Sequence, residues 1–251
     1  MRKTGENYQK YRYFLKDSIR KTIDFSDTDQ SQGITAPPLE KPYSKDAKRI
    51  DLAVEEWDEK INHNLVDAIK NRKSRRSFRK DPLSLEEISF LLWATQGIRY
   101  VAGPYAFRNV PSAGCRHALE TYLAVFNVED LEMGVYRYLP LTHQLLLEFT
   151  ENSLRNEMIN ATFGQRFAGE SAVTFIWTTI PYRMEWRYGL DSHKVIAMDV
   201  GHVGQNLYLA CEAINAGTCT MGAYDQEYLD DLLKIDGKEE FAIYLAAVGK
   251  I

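Results

Sequence analysis

The chain has 251 residues, a formal net charge of −4 and 45% hydrophobic residues, which suits one large domain or two small ones around a sizeable core. The acidic balance disfavours nucleic acid as a partner, and no run of about 18 apolar residues indicates a membrane-spanning helix. Three cysteines without metal-ligand spacing, and an N-terminus too polar for a signal peptide, predict a reducing, cytoplasmic environment.

The first 45 residues predict an N-terminal arm instead of a separate domain. Apolar residues recur at helical spacing between residues 11 and 23, and the polar residues 24–42 end in Pro37-Pro38 and Pro42. Such a stretch cannot close a core alone and is typical of a wrapping or partner-binding segment. We therefore predict an arm over residues 1–45 and one domain over residues 46–251.

A basic loop, residues 72–80, carries six cationic side chains in nine positions. Residues 62–71 before it have helical spacing, and Ser84 with Glu87 forms a capping box that begins a second helix, which stops at Gly97. The loop therefore follows a helix C-terminus, where cations offset the helix dipole even without a ligand. A bound phosphate and a solvated helix end both explain the charge. Nucleic-acid binding is a third interpretation, but zinc-finger and helix-turn-helix signatures are missing.

Small and polar residues dominate the next stretch of the chain. Residues 99–110 contain one glycine and three aromatic residues, and Pro111-Ser112-Ala113-Gly114-Cys115 follows. Small residues in this order let a flat ligand approach the backbone closely. An ordinary turn before a helix is the alternative.

The remaining sequence alternates strand and helix patterns. Residues 119–128 indicate a buried strand or a passage from helix to strand, and residues 172–180 give the strongest strand pattern, expected to be central. A polar aromatic loop is predicted over residues 181–191, followed by a long buried helix that ends near Gly217. Further elements are predicted over residues 135–139, 145–149, 153–163, 225–235 and 241–248. This mixture predicts an α+β fold.

Five segments resemble the nitroreductase-like flavoproteins. Arg75-Arg76-Ser77-Phe78-Arg79 resembles the family's Arg-Arg-Ser-x-Arg motif, and Pro111-Ser112-Ala113-Gly114 resembles its Pro-Ser-(Ser/Ala)-x motif. Met221-Gly222-Ala223-Tyr224 is similar to the loop that faces the flavin. Residues 201–210 resemble the dimer-core helix of the SagB, or thiazole/oxazole oxidase, branch, and residues 233–241 with Val248-Gly249-Lys250 are similar to that branch's ending.

The resemblance implies a nitroreductase-like fold, with a central, mostly antiparallel sheet flanked by helices in an intertwined homodimer. It also implies FMN at the dimer interface, with Arg75 and Ser77 on the phosphate and Arg79 near N1 and O2 of the ring. Backbone amides of Gly222 and Ala223 would face N5 and O4, and the Pro111 segment would come from the partner subunit. The implied cofactor-binding residues are Arg75, Arg76, Ser77, Arg79, Pro111, Ser112, Ala113, Gly114, Met221, Gly222, Ala223 and Lys250.

The chain also departs from the branch pattern at two places. After Ser-Ala-Gly the branch commonly has Ala-Leu-Tyr-Pro-Leu-Glu, whereas residues 115–120 here are Cys-Arg-His-Ala-Leu-Glu, so we expect a different substrate pocket. A Lys-Tyr pair of the peptide-processing members corresponds to Arg187-Tyr188, and an arginine cannot act as a base because its pKa lies above about 12. His117 would lie near enough to the flavin to donate a proton, with Cys115 as a flavin-side thiol. Candidate catalytic residues are Tyr188, His117 and Arg187.

These features predict an FMN-dependent oxidoreductase that transfers hydride from NAD(P)H to a small electrophilic acceptor by a ping-pong mechanism. An azoline dehydrogenase acting on peptides, with oxygen as the flavin oxidant, is the alternative, and a flavin-binding protein without turnover is another. The expected partners are a second copy of the chain, a small-molecule substrate and NAD(P)H, with neither nucleic acid nor membrane. The five histidines lack metal-ligand spacing, so no metal site is predicted.

Overall fold

The computed structural model describes residues 6–53, 57, 61 and 64–251. The helices are α1 (Glu6–Leu15), α2 (Leu65–Asn71), α3 (Leu85–Gln96), α4 (Leu154–Ala161), α5 (Phe167–Glu170), α6 (Tyr182–Tyr188), α7 (Ser192–Ala213) and α8 (Gln226–Leu233). The strands are β1 (Arg49–Asp51), β2 (Ile98–Ala102), β3 (Tyr105–Arg108), β4 (Leu119–Val125), β5 (Gly134–Leu139), β6 (Gln144–Thr150), β7 (Val173–Thr179), β8 (Ala216–Met221) and β9 (Phe241–Lys250). Residues 62 and 63, where the first predicted core helix begins, and residues 1–5 of the arm lie outside the described residues.

One sheet of seven strands organises the molecule. Its strand order is β1-β6-β5-β4-β7-β9-β8, and all of these pairings are antiparallel. Strand β7 lies inside the sheet between β4 and β9, and all seven of its residues are buried. Its β-branched and aromatic residues suit a strand covered on both faces. The predicted α+β fold with a mostly antiparallel sheet is confirmed.

Each face of the sheet carries its own hydrophobic core. Trp177 packs with Leu91 of α3 and Val203 of α7 on one face, whereas Ile176, its neighbour in β7, packs with residues of α4 and α8 on the other. Successive side chains of a strand point to opposite faces, so a single strand contributes to both cores. The helices therefore form one layer on each side of the sheet.

Helix α3 begins at the capping box that the sequence predicts. The Ser84 hydroxyl accepts a hydrogen bond from the Glu87 amide at 3.1 Å, and the Glu87 carboxylate accepts one from the Ser84 amide at 2.9 Å. Glu87 also pairs with Lys250 at the end of β9. Glu87 thus caps the start of α3 and also connects this helix to the C-terminal strand β9 by an ion pair.

Three local predictions are wrong. Residues 182–188 form helix α6, not a loop, because Pro181 opens a helical turn that packs against the chain's own arm. The polar stretch after Gly97 contains a separate hairpin, β2–β3. Helix α7 ends at Ala213, before Gly217, since Asn215 adopts φ 52° and the chain turns into β8.

The N-terminal arm contacts its own chain along much of its length. The indole N–H of Trp186 donates to the Ile34 carbonyl at 2.9 Å, and the Lys41 amide donates to Glu120 at 2.8 Å. Lys41 also pairs with Glu240, and Arg137 donates to the Lys41 carbonyl at 2.9 Å. The arm is therefore anchored by buried polar groups of the sheet, and its wrapping of a partner stays a prediction.

Candidate active site

The basic loop extends the sheet beside β8. Ser74 forms a parallel bridge with Thr218, and the Arg75 amide donates to the Thr218 carbonyl at 2.9 Å. Gly217 permits this approach, since a Cβ there would lie 2.5 Å from Cδ of Arg75. The Arg79 amide then donates to the Lys250 carbonyl at 2.9 Å. The structure thus brings the predicted phosphate-binding residues to one end of β8 and β9.

The cations of this loop differ in what they contact. A guanidinium nitrogen of Arg75 lies 3.4 Å from the Glu212 carboxylate, while its buried Nε has no hydrogen-bond partner in the described part of the chain. Arg79 pairs with Asp81 at 2.6 Å, and Lys250 pairs with Glu87. The guanidinium of Arg76 lies 5.8 Å from the Phe167 ring centroid, and no described carboxylate is within ion-pair distance of it.

The predicted flavin-ring loop lies at the other end of β8. Met221 is the last residue of the strand and is buried, whereas Gly222 and Ala223 are exposed. The side-chain amide of Gln165 donates to the Ala223 carbonyl at 2.9 Å and fixes the loop. Four residues separate Gly217 from Met221, about 13 Å along a strand. A single elongated ligand can therefore extend from the basic loop to Gly222.

The Pro111–Gly114 turn lies elsewhere in the same chain. Pro111, Ser112 and Ala113 line a cavity of about 470 Å³ together with residues of the N-terminal half of α7. Asp199 of α7 faces this turn, and burial raises the pKa of its carboxyl, although the nearby Ser112 and Ala113 offset part of that rise. Thirteen residues of α7 separate Asp199 from Glu212, which contacts the basic loop, or about 20 Å. The turn is therefore well separated from the basic loop along α7 of the same chain.

The three predicted catalytic residues surround this turn. Gly114 has φ 57°, and a Cβ there would lie 2.6 Å from the Tyr188 hydroxyl and 2.8 Å from Nε of Arg187, so only glycine fits. His117 follows three residues later and is buried. Burial, with further contributions from Arg108, Arg116 and Arg183, lowers the pKa of His117 to about 2. Its imidazole is therefore neutral, and any hydrogen bond that it donates comes from a neutral ring N–H.

Buried charged residues next to the turn were not predicted as site residues. Glu120 is buried and accepts a hydrogen bond from Arg183 at 2.5 Å. Arg116 is also buried; its Nε donates to the Arg183 carbonyl at 3.1 Å, and its guanidinium lies 4.6 Å from the Trp186 ring centroid. These partners are 63 to 70 residues apart in the sequence, so no local spacing connects them. The available signal was a charged residue within an otherwise apolar strand, as at Glu120.

Comparison with known proteins identifies the family. Residues 69–250 match the family model described as the nitroreductase family. The chain belongs to the nitroreductase family. This nitroreductase-family chain is 32% identical over 186 residues to MJ1384 of Methanocaldococcus jannaschii, itself assigned only provisionally as a nitroreductase, covering 74% of this chain and 90% of that protein. It is 26% identical over 141 residues to the trifolitoxin-processing protein TfxB of Rhizobium leguminosarum bv. trifolii, covering 55% of this chain and 38% of TfxB.

Solved structures share the fold of this nitroreductase-family chain. A provisionally assigned nitroreductase from Anabaena variabilis has a TM-score of 0.68 and 26% identity; the match covers 81% of this chain but only 42% of that one. The E. coli microcin synthetase McbBCD complex, with truncated pro-MccB17 bound, has a TM-score of 0.60 and 21% identity over 76% of this chain and 74% of the matched one. The NADPH:FMN oxidoreductase of Vibrio harveyi, complexed with NAD+, has a TM-score of 0.54 and 15% identity over 75% of this chain and 69% of that one.

Among the described residues we find neither a membrane-spanning helix nor a metal site. No helix among them is both long enough and apolar enough to cross a membrane. They also contain no group of three or more potential ligand side chains that could hold a metal ion.

Proposed function

We propose that this chain is an FMN-dependent oxidoreductase that transfers hydride from NAD(P)H to a small electrophilic acceptor. The observation that carries the proposal is the arrangement along β8, where a basic loop and an exposed Gly222-Ala223 loop lie about 13 Å apart. Family membership makes an oxidoreductase the expected class. Net electron balance requires one NAD(P)H and one proton for each acceptor molecule that gains two electrons and two protons.

The residues along β8 fit FMN. Arg75 has a buried Nε without a partner among the described residues, and Arg76 and Ser77 are exposed beside it, so a phosphate there would find charged and hydroxyl donors. Lys250 lies at the same end of the sheet, and Arg79 would serve the pyrimidine part of the ring. At Gly222 a Cβ would meet only one side-chain atom, at 4.0 Å, which leaves room for a flat ring. When bound, FMN would supply reversible two-electron chemistry at N5.

A homodimer would complete the site. The Pro111–Gly114 turn resembles a motif that reaches the flavin from the partner subunit, and in its own chain it lies about 20 Å along α7 from the basic loop. Leu65, Val66 and Ile69 of α2 are all more than half exposed and would be covered in such a dimer.

The turn supplies the groups that would handle protons. Tyr188 presents its hydroxyl at Gly114, and Arg187 presents a permanent positive charge there. The neutral His117 can donate from a ring N–H to an acceptor that gains negative charge. Tyr188 would thus deliver the proton that accompanies the transferred hydride, and His117 would stabilise the developing negative charge by a hydrogen bond.

An azoline dehydrogenase is the second candidate, supported by the similarity to TfxB and by the fold of the McbBCD complex. Arginine at position 187 argues against it because the guanidinium cannot accept a proton at neutral pH.

The first test is the visible spectrum of the purified protein, followed anaerobically as NADH and then NADPH are added. We expect flavin bands near ~450 nm that bleach with one of the two nicotinamides. Arg76→Gln should weaken FMN binding by about tenfold or more, because it removes a charge-assisted phosphate contact. Lys70→Gln, an exposed cation one turn before the loop, is the matched control and should bind FMN normally.

The outcomes separate the candidate functions. A protein that takes up no flavin, even after incubation with FMN, contradicts the proposal. Flavin bands that neither nicotinamide bleaches, but that an azoline peptide does bleach, support the dehydrogenase instead.

A further inference from the structure

Five arginines surround the segment from Gly114 to His117, in a protein whose net charge is −4. The positive charges of Arg99, Arg108 and Arg116 lower the pKa of the Cys115 thiol in opposition to burial. Those of Arg108, Arg116 and Arg183 add to burial in lowering the pKa of His117. Together these guanidiniums belong to Arg99, Arg108, Arg116, Arg183 and Arg187. They form a cationic cluster separate from the basic loop beside β8.

Three members of the cluster are almost completely buried and incompletely bonded. Arg108, Arg116 and Arg183 have exposed fractions of 4%, 2% and 3%. Within the described part of the chain, Nε of Arg108, Nη1 of Arg116 and Nη1 of Arg183 are buried without a hydrogen-bond partner. A buried donor without an acceptor is unfavourable, and more so when it is charged.

Carboxylates compensate only part of this charge. Glu120 pairs with Arg183, and Arg108 donates at 2.8 Å to the neutral side chain of Gln96. Neither Arg116 nor Arg187 has a described carboxylate within ion-pair distance. Burial lowers the pKa of Arg116, and the positive charges of Arg187 and Arg183 lower it further. An anion at this position would remove the repulsion and supply the missing acceptor.

Aromatic rings hold the Arg116 guanidinium in place. Its central carbon lies 4.6 Å from the Trp186 ring centroid and 6.0 Å from the Tyr105 ring centroid. Such stacking offsets some of the cost of burial and fixes the orientation of the guanidinium. Arg187 is half-buried, with its Nε against Gly114, so it is the member of the pair that solvent can reach.

We propose that the substrate of this protein carries an oxyanion group, a carboxylate or a phosphate, which Arg187 and Arg116 bind beside Gly114. This inference rests on the proposed function, which places the Gly114 turn next to the flavin of the partner subunit. Arg187 contacts the anion directly, and Arg116 supplies a fixed positive charge behind it. The cluster then selects substrates by their charge, because close to it the positive field outweighs the field of the acidic residues elsewhere in the protein.

The first experiment compares 4-nitrobenzoate with 4-nitrobenzamide, two acceptors of similar shape that differ by one negative charge. With FMN-loaded protein and its preferred nicotinamide, kcat/KM should be higher for the acid. Arg187→Gln should lower kcat/KM for the acid at least about tenfold more than it lowers kcat/KM for the amide. Arg49→Gln is the matched control: its guanidinium also stacks on a tyrosine, 5.7 Å from the Tyr43 ring centroid, but far from this turn.

If Arg116→Gln folds, as judged by circular dichroism, it should also lower kcat/KM more for the acid than for the amide. Should it fail to fold, Arg187→Gln still decides the question because its side chain is half-exposed. An equal loss for both acceptors, or no loss for either, overturns the inference and assigns the cluster a structural role.

The second experiment measures binding without turnover. Isothermal titration calorimetry with benzoate, benzamide and inorganic phosphate, on FMN-loaded and flavin-free protein, should show binding of an anion that Arg187→Gln abolishes. Benzoate binding identifies a carboxylate site, and phosphate binding without benzoate identifies a phosphate site. A protein that binds neither anion but reduces 4-nitrobenzamide retains the proposed function and loses this inference. A protein that binds benzoate through Arg187 but takes up no flavin loses the proposed function and retains the anion site.

Discussion

His117 is a histidine that its surroundings keep neutral. Burial and the charges of Arg108, Arg116 and Arg183 lower its pKa in the folded state to about 2, whereas an unfolded chain has an ordinary value of about 6.5. Below pH 6.5 the unfolded state therefore binds a proton that the folded state does not. Stability from this residue is fully present above pH 6.5 and is lost as the pH falls toward 2.

We expect the free energy of unfolding to fall by about 2 kcal/mol between pH 8 and pH 5 because of His117 alone. His117→Gln should lack this component, so subtracting the variant's pH dependence from that of the wild type isolates it. Urea unfolding at several pH values measures the difference. His193→Gln, at an exposed histidine beside Glu185, is the control and should keep the wild-type loss. Parallel curves for the wild type and His117→Gln would show that His117 is not held neutral.

The capping box of α3 should contribute measurably to stability. Ser84→Ala removes the side-chain acceptor of the Glu87 amide and should lower the free energy of unfolding by about 1 kcal/mol. Ser153 is the residue before α4 but makes no capping hydrogen bond to that helix, so Ser153→Ala is the control and should cost less. Chemical denaturation measures both. Equal losses would mean that the hydroxyl of Ser84 does not act as a cap.

Elements with strong local signals were predictable from the sequence. The capping box, the buried strand β7 and the closing strand β9 all have short-range patterns that match the structure. Helix α6 was missed because its position depends on the arm: Trp186 donates to Ile34, a residue 152 positions away. Strand β8, Ala-Gly-Thr-Cys-Thr-Met, has weak strand propensity and forms by pairing with β9.

Some parts of the candidate site could likewise be proposed from the sequence, and others could not. The basic loop and the Gly222 loop could be proposed as parts of the site from the sequence, because their residues are contiguous and resemble known motifs. The arginine cluster could not, since its members come from β2, β3, the Gly114 turn and α6 and meet only in the folded chain. Gly217 serves the site at the expense of the strand. A glycine lowers the strand propensity of β8, but it leaves room for Arg75 at the edge of the sheet.

One side of the folded chain is apolar and uncovered. Leu65, Val66 and Ile69 of α2 are exposed and flank a groove of about 500 Å³ lined by Trp57, Phe90, Trp93 and residues of α7. Met198, on α7, is 56% exposed, although the sequence predicts a fully buried helix. In one chain α7 is buried on one face only; a second copy would cover the other.

The last prediction tests whether this surface and the flavin site depend on each other. Ile69→Asp places a charge on the exposed face of α2, so it should leave the monomer folded but weaken its dimer. If the Pro111–Gly114 turn reaches the partner's flavin, the monomeric variant should also bind FMN at least about tenfold more weakly, because half of the contacts are lost. Sedimentation velocity and flavin fluorescence titration on the same samples measure the two quantities.

Leu141→Asp is the control for this experiment, since Leu141 is an equally apolar, exposed residue in the turn between β5 and β6, away from α2 and α7. It should remain dimeric and retain FMN. A monomeric Ile69→Asp protein with undiminished FMN affinity would place the whole flavin site within one chain. The flavin would then be held by the basic loop and the Gly222 loop of one chain, without the partner's turn.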